Sequence, residues 1–502
     1  MSNPVKSPFE GVGLRATVRE LVDEIKELYV GDNVPWVVGY SGGKDSTAVL
    51  QLVWMALREL SAEDLTKEVY VISTDTLVEN PVVASWVTHS LERMTAAAAA
   101  EALPILPHRL TPEVKDTFWV SLIGKGYPAP RPRFRWCTDR LKIMPSNAFI
   151  TNVVKTKGEA VLVLGIRKAE SSARSRVMSR NERNRARERL SPNASLPGSQ
   201  IYSPIEAWSN DEVWMFLMQE QNPWGYNNRD LLTMYQGASQ DGECPLVIDT
   251  STPSCGDSRF GCWVCTLVER DRSMQAMIQN DEEKAWMLPL LSLRDALDVH
   301  DDRHLRDFRR MSGRVQLFHD RPIPGPYTQE SREMWLRRLL ETQRWLIDHA
   351  PTHIKDIQLV SLPELEEIRR LWVFEKHELE DSLPGIYEDA MREPYPGDTL
   401  DDGRAFGAAE MKLLRASCEN ALEFQMLREL LDTSLQYRTA VRRSGLFEVL
   451  EKVIRKHYYE GEEDAVAFAR WRAAALHEDV STTIATAGEE SADIEPVPEV
   501  AS

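Results

Sequence analysis

Two groups of residues in this sequence have types and spacings suited to chemistry. The first is the hexapeptide Ser41-Gly42-Gly43-Lys44-Asp45-Ser46. Adjacent glycines let backbone N–H groups turn toward an anion, and a helix starting just after them adds partial positive charge. Lys44 supplies a full charge and Ser46 a hydroxyl at the helix start. The hexapeptide is not a Walker A loop, which needs Gly at position 38 and Ser or Thr after the Lys; Val38 and Asp45 stand there. The second group is Cys244-x10-Cys255-x6-Cys262-x2-Cys265, four cysteines within 22 residues. Four thiolates are enough for a 4Fe-4S cluster or a structural zinc, and the spacing alone leaves both open. Cys262-Trp-Val-Cys265 could also be a dithiol redox pair, but the two further cysteines nearby favour ligation.

Other residues at informative places are single. Cys137 lies between Arg135 and Arg140, where positive charge is expected to favour the thiolate. It could carry a persulfide, replace Cys244 as a cluster ligand, or be an ordinary pocket cysteine. Cys418, in a stretch read as helix over 413–431, is expected to be core. Arg167 and Arg174 follow an apolar strand, where guanidinium forks suit phosphate or sulfonate oxygens. Asp75 ends another strand and could meet a ribose hydroxyl or a metal.

Elements that would position these residues can be read from periodicity. Leu14, Val18, Leu21, Val22, Ile25 and Leu28 share a helical face. Apolar strands are expected at 34–40, 68–73 and 160–165, with helices at 46–60 and from about Asn210. Buried strands alternating with helices indicate an α/β fold with a parallel sheet, in which ligands collect at the carboxyl ends of strands. Residues 181–200 read as a polar, mobile surface segment. Beyond about 282 the pattern is helical, for example 330–347 and 407–433. The expected domains are 1–240, nucleotide-binding; 241–281, cysteine-rich; 282–477, a helical C-terminal region; and 478–502, a disordered acidic tail.

Composition excludes several classes. Six cysteines in 502 residues are too few for a disulfide scaffold. No apolar run is long enough to span a bilayer and no secretory signal is present, so a cytoplasmic protein without membrane contact is expected. Lys and Arg number 60 against 78 Asp and Glu, a net −18 that on average repels nucleic acid. The average hides a contrast: residues 121–190 carry 17 basic and 5 acidic residues, and every other segment is acidic. A polyanion can be steered to that block, with weak and salt-sensitive binding that needs partner proteins to become tight.

Ser-Gly-Gly-Lys-Asp-Ser resembles the PP-loop of ATP pyrophosphatases, which cleave ATP between its α- and β-phosphates, usually with Mg2+. Gly165-Ile166-Arg167-Lys168-Ala169-Glu170-Ser171-Ser172-Ala173-Arg174 is similar to the Gly-x-Arg-x-x-Glu-Ser-x-x-Arg segment of the phosphoadenylyl-sulfate (PAPS) reductase superfamily. Pro204-Ile205, Trp208-Ser209, Asp211-Glu212-Val213-Trp214 and Arg135-Trp136-Cys137-Thr138 with Leu141-Lys142 also resemble that superfamily. The nucleophilic Glu-Cys-Gly-[Ile/Leu]-His cysteine of sulfonucleotide reductases is missing. With Asp75-Thr76-Leu77-Val78-Glu79-Asn80-Pro81 and Gly325-Pro326-Tyr327-Thr328, the whole is similar to the DndC family of DNA phosphorothioation proteins, to which the single-strand counterpart family SspD is related. The resemblance implies ATP-dependent adenylation of a DNA phosphate, then replacement of a non-bridging oxygen by sulfur. It tips the four cysteines toward a 4Fe-4S cluster, and implies a cysteine desulfurase as sulfur donor and other proteins of the DNA modification complex as partners. It assigns nucleotide binding to Ser41–Ser46, Asp75, Gly165 and Arg167. Catalysis would fall to Lys44, Asp45, Cys137 and Arg167, and substrate binding to Arg135, Arg140, Lys142, Glu170, Ser171 and Arg174. The alternative is a sulfonucleotide (PAPS or APS) reductase-like oxidoreductase using Cys137.

Overall fold

Alternation along the strands sets the architecture. In β1 (Trp36–Gly39), Trp36 and Val38 enter one core while Val37 enters another. The same split separates Val69 and Val71 from Ile72 in β2 (Val69–Thr74), and Val161 and Val163 from Ala160 and Leu162 in β4 (Ala160–Val163). Side chains alternate across a strand, so a strand apolar on both faces must be covered on both faces. Helices α1 (Leu14–Val30), α2 (Lys44–Arg58) and α3 (Pro81–Ala100) contribute to the larger core. Ile150 and Val153 of α4 (Met144–Lys157) contribute to the smaller one. In this computed structural model the described residues are 9, 11–170, 175–176, 178–179, 189–193, 195–238, 261–319, 321–351, 357–398, 406–437, 445–472 and 474, with the side chain of Glu170 excepted.

Six strands form the sheet in the order β3-β2-β1-β4-β6-β5. All neighbours are parallel except the short edge strand β5 (Ser191–Pro192), which runs antiparallel to β6 (Ser199–Tyr202). The order reverses between β1 and β4, so the connections leaving these two strands diverge and open a crevice at their carboxyl ends. Three of the six strands escape the sequence reading, β5 because two residues are too short to register. β3 (Ile105–Leu110) contains Pro107 and two polar residues, a pattern that only an edge strand tolerates. β6 begins inside the segment expected to be a mobile surface loop; its alternation is too short to stand out, and pairing with β4 fixes it.

The chain divides into two units. The first comprises Met1–Val120, Ala129–Val299 and Leu339–Ser361, and holds the six-stranded sheet. The second comprises Ser121–Pro128, His300–Arg338 and Leu362–Ser502, and is mainly helical with a two-stranded hairpin, Leu317–Phe318 with Arg321–Pro322. Within the second unit, Gly325 passes so close to the Arg309 carbonyl that a Cβ would lie 1.6 Å from its oxygen. The Gly325–Thr328 motif is therefore a packing feature. The helix expected across Cys418 breaks there: Ala408–Ser417 ends, and a second helix, Ala421–Gln436, starts from the Asn420 cap. Cys418 is half-buried and its thiol donates to the Leu414 carbonyl at 3.1 Å, so it is a helix-end residue, not core.

Candidate functional site

A cleft of about 1260 Å3 lies at the switch point of the sheet, lined by the loop after β1, the end of β2, and the segment after β4. Gly42 makes the first turn possible: its φ is +74°, and a Cβ there would stand 2.5 Å from the Val87 side chain. Gly43 then caps α2, so the first backbone N–H groups of the helix, which have no intrahelical partner, belong to the cleft-lining residues Lys44–Ser46. The Ser46 hydroxyl donates to the Gly43 carbonyl at 3.0 Å and accepts from the Ser41 N–H at 3.2 Å, which closes the loop on itself. Gly165 packs flat against this turn, where a Cβ would meet the Asp45 carbonyl carbon at 2.8 Å. Gly165 thus lets the segment after β4 touch the helix start and bring Arg167 to it.

Charge is arranged around Asp45. Its carboxylate accepts from Arg167 Nε at 2.7 Å and from Lys44 Nζ at 3.0 Å. Arg167 is 4% exposed and also donates to the Trp208 carbonyl at 3.2 Å. Asp45 therefore holds two cations side by side at the mouth of the loop, where they would meet a polyphosphate. Tyr235 closes the same corner, with its hydroxyl 3.4 Å from the Lys44 backbone nitrogen. Burial pushes the Tyr235 hydroxyl above the ordinary phenol range. Asp75 lines the cleft, but its carboxylate accepts from the Leu77 N–H at 2.8 Å and pairs with Arg109.

Glu79 and Lys142, which line the cleft, connect it to the cysteine turn. An isolated bridge pairs Glu79 with Cys262; the Asn80 N–H donates to the Gly261 carbonyl and the Trp263 N–H to the Val78 carbonyl. Lys142 Nζ stands 3.3 Å from Glu79, whose carboxylate also faces the Cys262 thiol at 3.8 Å. Burial and the Glu79 carboxylate push the Cys262 thiol up to about 12. Burial opposes the charge on Lys142, but Cys262 and Glu79 together hold its ammonium above the ordinary lysine value. From behind, the buried Arg294 donates to the carbonyls of Cys265 at 2.9 Å and Glu269 at 3.0 Å, and also to that of Val268, which fixes the turn. Cys137 is half-buried, and burial raises its pKa. This corrects the expectation of a thiolate favoured by flanking arginines. Arg135 Nε donates to the Pro132 carbonyl at 3.1 Å, and Arg140 pairs with Asp116.

Of the residues expected at the site, the structure gathers Ser41–Ser46, Asp75, Lys142, Gly165 and Arg167 around one cleft. Arg135 and Arg140 do not line it. Ser171, Arg174, Cys244 and Cys255, the side chain of Glu170 and the acidic tail lie outside the described residues. Among the described residues, no three His, Cys, Asp or Glu side chains form a ready metal-binding group. The Cys262-x2-Cys265 turn nevertheless suits a metal: Cys262 is desolvated beside a lysine, and a metal cation would stabilise the Cys262 thiolate that burial disfavours. Sequence reading missed Arg109, Tyr235 and Arg294. Arg109 is the penultimate residue of β3, a strand not expected from the sequence, and no local pattern distinguishes the other two.

Residues 35–267 match the phosphoadenosine phosphosulfate reductase domain. The match spans a little under half of the chain and contains every cleft-lining residue named above. An uncharacterized protein of Methanocaldococcus jannaschii is 25% identical over 283 residues, 56% of this chain and 46% of that protein, so the chain matches less than half of the length of this curated relative. Among solved structures, a phosphoadenylyl-sulfate reductase from Candida auris in complex with phosphate is 13% identical with a TM-score of 0.26, over 44% of this chain and 90% of that one. The U34-tRNA thiolase NcsA from Methanococcus maripaludis, with its 4Fe-4S cluster, is 13% identical with a TM-score of 0.27, over 58% of this chain and 82% of that one. Among the described residues, no helix is long and apolar enough to cross a membrane.

Proposed function

We propose that the chain is an ATP pyrophosphatase and sulfurtransferase that activates a DNA backbone phosphate for replacement of a non-bridging oxygen by sulfur. The observation that carries this reading is one cleft lined by the Lys44–Asp45–Arg167 phosphate corner and by Glu79 and Lys142, with the Cys262 thiol 3.8 Å from the Glu79 carboxylate. ATP would lie along the strand ends with its β- and γ-phosphates on the Ser41–Ser46 loop. A DNA phosphate oxygen attacks the α-phosphorus, the α–β bridging bond breaks, and pyrophosphate departs. An oxygen that cannot leave becomes part of AMP, which can. Lys44 and Arg167 balance the charge that accumulates on the departing pyrophosphate. A thiol reductant releases sulfide from the persulfide of a cysteine desulfurase; the sulfide attacks the adenylated DNA phosphorus, forming the P–S bond as the P–O bond to AMP breaks. Cys262 and Cys265 would hold a cluster together with Cys244 and Cys255, or with Cys137 in place of Cys244; when bound, a 4Fe-4S cluster supplies redox-active iron beside the cleft.

Reconstitution with a cysteine desulfurase, its partner proteins, ATP and DNA tests the reading, with nuclease digestion and mass spectrometry of the dinucleotides. Phosphorothioate linkages are expected with ATP and not with Lys44→Ala. The matched domain supports one other reading, a sulfonucleotide reductase using Cys137. Thiol-dependent sulfite release from adenylyl sulfate, with no sulfur in the DNA, would favour it.

A further inference from the structure

The helix Asn228–Gly237 has no part in the reading above, yet its Tyr235 reaches the phosphate loop. The ring stands edge-on to the fully buried Trp214, with centroids 5.1 Å apart. Trp214 belongs to Asn210–Gln219, a helix locked at its start by the reciprocal Ser209–Glu212 capping box. This buttress aims the phenol at the start of α2. Its hydroxyl accepts from the Lys44 N–H at 3.4 Å, a long bond, and a Cβ on Gly43 would stand only 3.1 Å from it. Lys44 Nζ lies 5.6 Å from the ring centroid. A phenol oxygen at the first free N–H of this helix stands where an anionic oxygen would bind.

We propose that Tyr235 is a phosphate-binding residue of this loop. Its hydroxyl holds the Lys44 N–H while the loop is empty and rotates to donate to the polyphosphate of a nucleotide once one enters. The class of ligand is an inorganic or nucleoside polyphosphate, whose anionic oxygens can accept from the hydroxyl, the Lys44 N–H and the Lys44 ammonium together. This rests on the loop being the polyphosphate site of the proposed function. It also gives the Asp211-Glu212-Val213-Trp214 segment a physical role, as the rigid back of that site.

The test is equilibrium binding of inorganic pyrophosphate, ATP and AMP to the full-length chain, its Tyr235→Phe variant and a Tyr226→Phe control. Phenylalanine keeps the ring against Trp214 and removes only the hydroxyl. A lost hydrogen bond to a charged group predicts pyrophosphate and ATP affinities weakened about 10- to 100-fold in Tyr235→Phe, with AMP little changed. Tyr226→Phe, whose hydroxyl donates to the Trp86 carbonyl, should bind all three as the parent does. Equal pyrophosphate affinity in Tyr235→Phe and parent would overturn the inference and leave the proposed function standing. A uniform loss across all three ligands would overturn it too, by making the hydroxyl a support of the fold. If the parent binds neither pyrophosphate nor ATP, the proposed function fails and the inference with it.

Discussion

Arg167 is the residue on which the phosphate corner turns. It is buried, shared between the Asp45 carboxylate and the Trp208 carbonyl, and its fork cannot be reproduced by a point charge. Arg167→Lys should keep the charge and lower kcat/KM for ATP by about 10- to 100-fold, the worth of one charge-assisted hydrogen bond. Steady-state kinetics with pyrophosphate detection checks this. Cys262 is the second residue that matters. Its thiol is desolvated against Glu79 and Lys142, a poor setting for a bare thiolate and a suitable one for a metal ligand. Anaerobically purified Cys262→Ser should contain less iron and sulfide than the parent; an undiminished content would remove Cys262 from the ligand set.

Elements place these residues, and much of that placement was legible in the sequence. The hexapeptide between an apolar strand and a helix located the loop, and Gly165-x-Arg167 after another apolar strand located its partner. The end-to-end contact of those segments was not legible, because it depends on the strand order that sets β4 beside β1. Arg109 was missed with β3, since an edge strand need not be apolar. Arg135 and Arg140, expected to bind substrate, do not line the cleft. Linear proximity to Cys137 says nothing about where long side chains turn, and Asp116 and the Pro132 carbonyl claim them. Close packing at Gly165 gives a test at this scale. Gly165→Ala should force the loop away from β4, destabilising the protein by about 1–3 kcal/mol as overpacked sites do. The unfolding midpoint should fall and ATP affinity with it, whereas an unchanged midpoint would mean the two segments are not in contact.

For the whole molecule, the sequence average of −18 misleads, because charges act where the fold gathers them. In the second unit the Glu429 carboxylate accepts from His457 Nε2 at 2.8 Å and from Lys456 Nζ at 2.8 Å. Burial opposes its ionisation, but these partners prevail and hold its pKa at about 2. A carboxylate depressed on folding contributes stability that is present above its unfolded pKa, about 4.3, and lost as pH falls through the folded value. The unfolding midpoint should therefore drop between about pH 4.5 and 2. Glu429→Gln should be less stable at pH 7, by about 2–4 kcal/mol, and lose less on acidification. In the first unit Lys44, Arg109, Lys142 and Arg167 line one cleft, and the proposed function turns on what that cleft does with ATP. The most direct measurement is the product pattern from ATP with and without DNA. AMP and pyrophosphate, formed faster with DNA and abolished by Lys44→Ala, are the predicted result. ADP and phosphate, or AMP and pyrophosphate formed at the same rate without DNA, would contradict it.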